Sequence, residues 1–232
     1  MIWMLFACQG LPEFVTISGT VFESSAAEEP VAGVSLEVFD VAMESVDSVE
    51  ADGEGAFSAQ ARMGSYFFLS MSADGYVPTG VAGSVGPQDF AIPDGALWMR
   101  TEEEHEEALV GFEGCEGLDS GGVIDGEVIM ALPGEDDSLQ KMFVSTGWAR
   151  AILEDGTEVS ACYLDDDGVY DPEAVYTGGT GQFVIPNVSG KIVLAVGYDL
   201  GESTMFEGLF TVYVPENGVT SLFDVLWMPL PQ

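Results

Sequence analysis

The most ligand-like run in this chain of 232 residues is Asp165-Asp166-Asp167-Gly168, followed by Asp171 and Glu173. Calcium takes hard carboxylate and carbonyl oxygens in a flexible loop, and a glycine-broken acidic run can supply them. The helix–loop–helix register does not fit: with Gly168 at the turn, the first and last ligands would be Tyr163 and Ala174. The run reads either as a weak calcium loop or as solvated aspartates between strands. No other cofactor is expected.

His105 is the single histidine, set among Glu102, Glu103, Glu104, Glu106 and Glu107. It is expected on an exposed helix face, its pKa raised by the surrounding negative charge. A serine–histidine–aspartate arrangement would have to use it, and no Gly-x-Ser-x-Gly turn accompanies it. No phosphate-cradling or dinucleotide-binding glycine pattern opens a helix either. With 40 acidic residues some carboxylate pair falls close by chance, so closeness alone does not argue for a glycosidase. No catalytic residue is assigned and no enzyme is expected. Of the four tryptophans, Trp98 and Trp227 are expected in the cores. Trp148, between Gly147 and Ala149, is expected exposed as a possible sugar-stacking face.

The 40 acids face only Arg62, Arg100, Lys141, Arg150 and Lys191, a net charge of −35. Such a field repels phosphate backbones and anionic headgroups, which disfavours nucleic acid and electrostatic membrane docking. A hydrophobic fraction of 47% and a mean hydropathy of +0.24 nevertheless supply real cores. No run is long and apolar enough for a membrane helix.

Leu5-Phe6-Ala7-Cys8 closes an apolar start and resembles the end of a bacterial lipoprotein signal. The resemblance implies lipid on Cys8, residues 1–12 as a truncated signal and tether, and a translation start further upstream. Gln9 in the next position implies the outer membrane or cell surface. Membrane contact would then run through that anchor only. The alternative is a short strand with Cys8 as a buried thiol. In an exported protein Cys115 and Cys162 form a possible disulfide, whereas two cysteines and one histidine fall short of a zinc set.

Stepping from side chains to the elements that hold them, the chain repeats itself. Ile17-Ser18-Gly19-Thr20-Val21 returns as Ile124-Asp125-Gly126-Glu127-Val128, Gly55-Ala56-Phe57 as Gly181-Gln182-Phe183, and Leu97-Trp98-Met99 as Leu226-Trp227-Met228. Order is kept, which predicts modules at 13–100 and 122–230. The extra length of the second copy, around 133–145 and 165–178, is expected as loops. Short β-prone runs bounded by glycine, proline and aspartate predict two tandem β-sandwiches, an all-β fold. Thr101 and Glu104 predict a capping box, so the connector 101–121 should hold a short acidic helix. It offers little apolar surface, and each module is expected to fold by itself.

Pro30-Val31-Ala32-Gly33-Val34, Asp52-x-x-Gly55-x-Phe57, Gly64-x-Tyr66 and Ala73-Asp74-Gly75-Tyr76, following Ile17-x-Gly19-x-Val21, resemble the carboxypeptidase regulatory-like domain. The second module keeps only Gly126, Val128, Gly181-x-Phe183, Pro186-Asn187 and Tyr198 of that pattern. The resemblance implies a transthyretin-like sandwich of secreted and surface proteins, with no active site. The expected role is a non-catalytic envelope lipoprotein acting as a structural or interaction module, its partner an envelope protein. The alternative is a carbohydrate-binding accessory protein that holds a surface polysaccharide.

Overall fold

The computed structural model describes residues 13–24, 29–118, 121–133, 139–199, 205–222 and 227–228; the side chains of 129–142, 205–207 and 227–228 lie outside it, as does Cys8. The fold is all-β, with one short α-helix among the described residues. The first half carries β1 (Phe14–Thr20), β2 (Ser35–Phe39), β3 (Ser45–Glu50), β4 (Ala56–Arg62), β5 (Tyr66–Ser72), β6 (Thr79–Ser84) and β7 (Phe90–Ala91). After α1 (Glu102–Leu109) come β8 (Gly122–Glu127), β9 (Ile129–Pro133), β10 (Leu139–Phe143), β11 (Gly147–Ile152), β12 (Glu158–Ser160) and β13 (Cys162–Tyr163). β14 (Gln182–Val188), β15 (Gly190–Asp199), β16 (Met205–Val214), β17 (Val219–Leu222) and β18 (Trp227–Met228) complete it.

The sequence repeat is a repeat of topology. In the first half β4-β1-β7 lies over β6-β5-β2-β3; in the second β14-β8-β17 lies with β16-β15-β11-β12 in the same orders. β1 pairs antiparallel with β4 and parallel with β7, as β8 does with β14 and β17. The third marker follows: Trp98 bridges Phe22 in parallel, and Trp227 pairs with Ile129 in parallel.

Glycine and phenylalanine recur for steric reasons. Gly19 lies opposite Phe57 and Gly126 opposite Phe183. A Cβ at Gly19 or Gly126 would press the facing ring at 3.2 Å or 3.0 Å, so each glycine makes room for a core aromatic. Gly55 and Gly181 sit at φ of +71° and +70°, and each carbonyl accepts from an amide of the first strand, Val21 or Val128. A side chain at either would stand 2.8 Å from that residue's carbonyl oxygen.

Alternation puts Val15, Ile17, Leu36, Val38, Phe57, Leu69, Met71, Leu97 and Met99 in the first core. Ile124, Ala149, Tyr163, Phe183, Ile185, Leu194, Val196, Tyr198 and Val212 fill the second. Tyr163 reaches across the second sandwich, its hydroxyl accepting from the Ala149 amide and donating to the Ala149 carbonyl, both at 3.0 Å. Part of the extra length at 133–145 is a β-hairpin rather than a loop: β9 and β10 pair from Pro133↔Leu139 to Ile129↔Phe143. Its strands carry the β-prone residues that a count of glycine, aspartate and proline passes over.

The halves meet edge to edge. β17 pairs in parallel with β6 at Val219↔Thr79, which makes one eight-stranded sheet out of strands from both halves. β16 crosses close over that sheet: Tyr213 packs against Phe39 and Phe68 with ring centroids 5.5 Å and 6.2 Å away. A Cβ at Gly80 would collide with the Tyr213 carbonyl oxygen. The connector takes part too. Phe112 and Cys115 bury with Val123, Leu164 and Val184 in a third cluster, so its apolar residues are used against the second half.

Candidate functional site

The ion pair buried on both sides, among the described residues, lies where the halves join. Arg100 follows the Leu97-Trp98-Met99 marker; alternation sends Leu97 and Met99 into the first core and turns Trp98 and Arg100 the other way. Trp98 is therefore half-buried rather than a core residue, with the Arg100 guanidinium 5.0 Å from its ring centroid. Arg100 is 8% exposed and donates to Oδ2 of Asp125, 3% exposed, in the middle of β8. Oδ1 of Asp125, Oγ of its register partner Ser221, and Nδ1 of His105 are buried without hydrogen-bond partners among the described residues. Removing one member of such a pair leaves the other charge buried and uncompensated, which fixes how the halves sit.

His105 departs from expectation. It is half-buried in α1, whose capping box of Thr101 and Glu104 forms as the sequence predicts. Burial holds its imidazole below the ordinary histidine pKa; Asp125 pulls upward, Arg100 pushes down, and Glu106 pulls upward. Desolvation outweighs the glutamates because most of them point to solvent. In the first half Tyr76 donates to Glu23, and that bond, then burial, pushes its phenol up to about 12.

The acidic run is held by the chain's own amides. Oδ1 of Asp165 accepts from Asp167 and Val169, Oδ1 of Asp166 from Gly179, and Oδ1 of Asp171 from Glu173, at 2.7–2.9 Å. Asp167 and Glu173 contribute their backbone N–H groups to these turns. No group of three metal-ligating side chains occurs among the described residues. Cys115 and Cys162 are joined, their Cα atoms 6.2 Å apart across a separation of 47 residues, which pins the connector to β13. Trp148 is half-buried against the second core, the Arg150 guanidinium 5.2 Å from its ring centroid and its indole N–H buried without a hydrogen-bond partner among the described residues. The flanking Gly147 and Ala149 are small because they are buried, not because the tryptophan stands free.

Arg100 and Asp125 were missed as a pair, though a signal exists. Asp125 interrupts the apolar run Gly122-Val123-Ile124, and Arg100 is one of five cations in a chain of net charge −35. An acid inside a strand buried on both faces calls for a cation.

No protein-family model matches the chain, and no curated protein does. Solved structures similar to it include the TIE protein of Bacillus anthracis, at 12% identity over 94% of this chain and 33% of that one, with a TM-score of 0.31. A minor pilin of Streptococcus agalactiae is 11% identical over 94% and 97% of the two chains, TM-score 0.28. The shaft pilin SpaA of Lactobacillus rhamnosus GG is 8% identical over 95% and 98%, TM-score 0.26. The chain thus spans about a third of the length of the Bacillus anthracis protein.

Proposed function

We propose that this is a non-catalytic, exported module that presents a rigid pair of β-sandwiches at the cell envelope for structural or protein-protein contact. The observation that carries the reading is the use made of the reactive groups. The buried ion pair Arg100–Asp125 joins the halves, the disulfide Cys115–Cys162 pins the connector, and the aspartate run closes its own turns. The bond between Cys115 and Cys162 suits an oxidising compartment. The finer reading adds a lipid on Cys8 and an outer-membrane or surface location. A transthyretin-like, carboxypeptidase regulatory-like character is kept for the first half, supported by its paired sheets β4-β1-β7 and β6-β5-β2-β3.

Affinity capture from the native envelope with the full chain tests the role: a stoichiometric protein partner is expected, and enzymatic turnover lost on a single carboxylate substitution would overturn it. Labelling with a palmitate analogue tests the anchor. Label should vanish in Cys8→Ser, and unchanged labelling would remove the lipid from the reading.

A further inference from the structure

One edge pairing of the duplicated architecture is made, and its counterpart is not. β6, the edge of the first half's four-stranded sheet, takes β17. Among the described residues the counterpart of β6, β16, pairs only with β15, and the counterpart of β17, β7, pairs only with β1. Both unpaired edges border a cleft of about 570 Å³ lined by Val81, Phe90, Trp98, Phe210, Ser221 and Leu222 among others. β6 and β17 touch at Val219↔Thr79 and line the same cleft beyond it, at Ala82 and Leu222.

Three features say what would fit. Phe90 and Leu209 stand 40% and 64% exposed on the two edges, apolar surface beside backbone groups that have no strand partner. The cleft is within the size range of ligand sites, and its walls are mostly apolar, with Val81, Phe90, Trp98, Phe210 and Leu222 among them. The field is negative, and the four cations whose side chains are described are already engaged. Arg62 meets Asp40 and Glu13, Arg100 meets Asp125, Arg150 meets Glu158, and Lys191 meets Glu154. An occupant with positive charge is drawn in, while a second copy of this chain, itself at −35, is repelled.

We propose that the cleft between β16 and β7 receives an extended peptide segment of another protein by strand addition, with alternate apolar side chains entering the cleft and lysine or arginine facing out. The inference rests on the interaction-module reading and names the chemistry of its partner. Main-chain hydrogen bonds to β16 supply affinity, and the alternation of the strand supplies selectivity.

The test uses the full chain and a fluorescent Lys-Val-Lys-Val-Lys-Val-Lys peptide, followed by anisotropy and amide hydrogen exchange. One-to-one binding that weakens with salt is expected, with slowed exchange in β16. At least a tenfold loss is expected for a peptide N-methylated at alternate residues, for a Glu-Val counterpart, and for Ala82→Trp, which fills the cleft. If Ala82→Trp does not fold, Phe90→Ala, at an exposed ring, should weaken binding several-fold with unchanged melting. Absence of binding, equal affinity of the N-methylated peptide, protection only outside the cleft, or wild-type affinity in the folded cleft variants overturns the proposal. So does sedimentation showing a dimer that closes the cleft. Envelope capture that persists in folded Ala82→Trp would sink the cleft and leave the module reading standing.

Discussion

Ile17-Ser18-Gly19 and Ile124-Asp125-Gly126 occupy the same place in the two halves, between the same kinds of neighbours, and differ in the middle residue. Ser18 faces Ser58 on β4 and its carbonyl takes the Ile92 amide; Asp125 takes Arg100 from the other half. The glycine, the isoleucine and the facing phenylalanine set the local fold in both copies. The residue between them decides whether the strand is an internal element or a joint, so the two halves share a sandwich and differ at the one position that serves assembly.

The largest effect should come from that position. Asp125→Ala leaves Arg100 buried without its carboxylate and should cost about 3–5 kcal/mol in urea unfolding, whereas Ser18→Ala should stay within about 0.5 kcal/mol. Equal losses would erase the distinction, and partial recovery in Asp125→Ala/Arg100→Met would sharpen it. Next comes the covalent difference. Cys115→Ser with Cys162→Ser should lose about 2–4 kcal/mol, and hydrogen exchange should place the loss in the second half. Faster exchange in β1 and β4 instead would mean that the halves do not respond separately.

The shared turn predicts equality. Gly55→Ala and Gly181→Ala each force a side chain into a left-handed conformation against a carbonyl, at a cost of about 1–3 kcal/mol. A difference beyond about 1 kcal/mol between the two would show that the turns are alike in shape only. A smaller effect belongs to pH. Because the folded imidazole of His105 titrates below the unfolded value near 6.5, its contribution is present above that pH and is lost as pH falls towards the folded value. A melting series should slope downward there in the native chain and flatten in His105→Gln; the opposite slope would contradict a buried neutral imidazole. The smallest concerns the aspartate run. Millimolar calcium should move the melting temperature no further than sodium chloride of equal ionic strength if the aspartates are a solvated turn, and a specific upward shift would make the run a calcium loop.

What could be read from the sequence is what depends on local geometry. The Gly-x-Phe turns and the capping box at Thr101 are local, and each is where the sequence predicts it. β3, β6 and β7 escaped because their evidence is non-local: Ser45–Glu50 is a polar edge, Thr79–Ser84 carries two glycines, and Phe90–Ala91 becomes a strand only beside β1. The same holds for His105, whose burial comes from an environment that includes Asp125 on β8, and for Trp148, whose neighbour Arg150 lies on the same face of β11. Spacing names such residues; only the folded register says what they meet.

The pairing of β6 with β17 also orders events during synthesis. β6 belongs to the first half, yet the strand that covers its edge follows only after β16, so the first sandwich stands with an open, glycine-containing edge until the second half is present. Such an edge invites aggregation in a growing chain. The excess of negative charge on the first half sets such open-edged chains apart by mutual repulsion until Val219 pairs with Thr79.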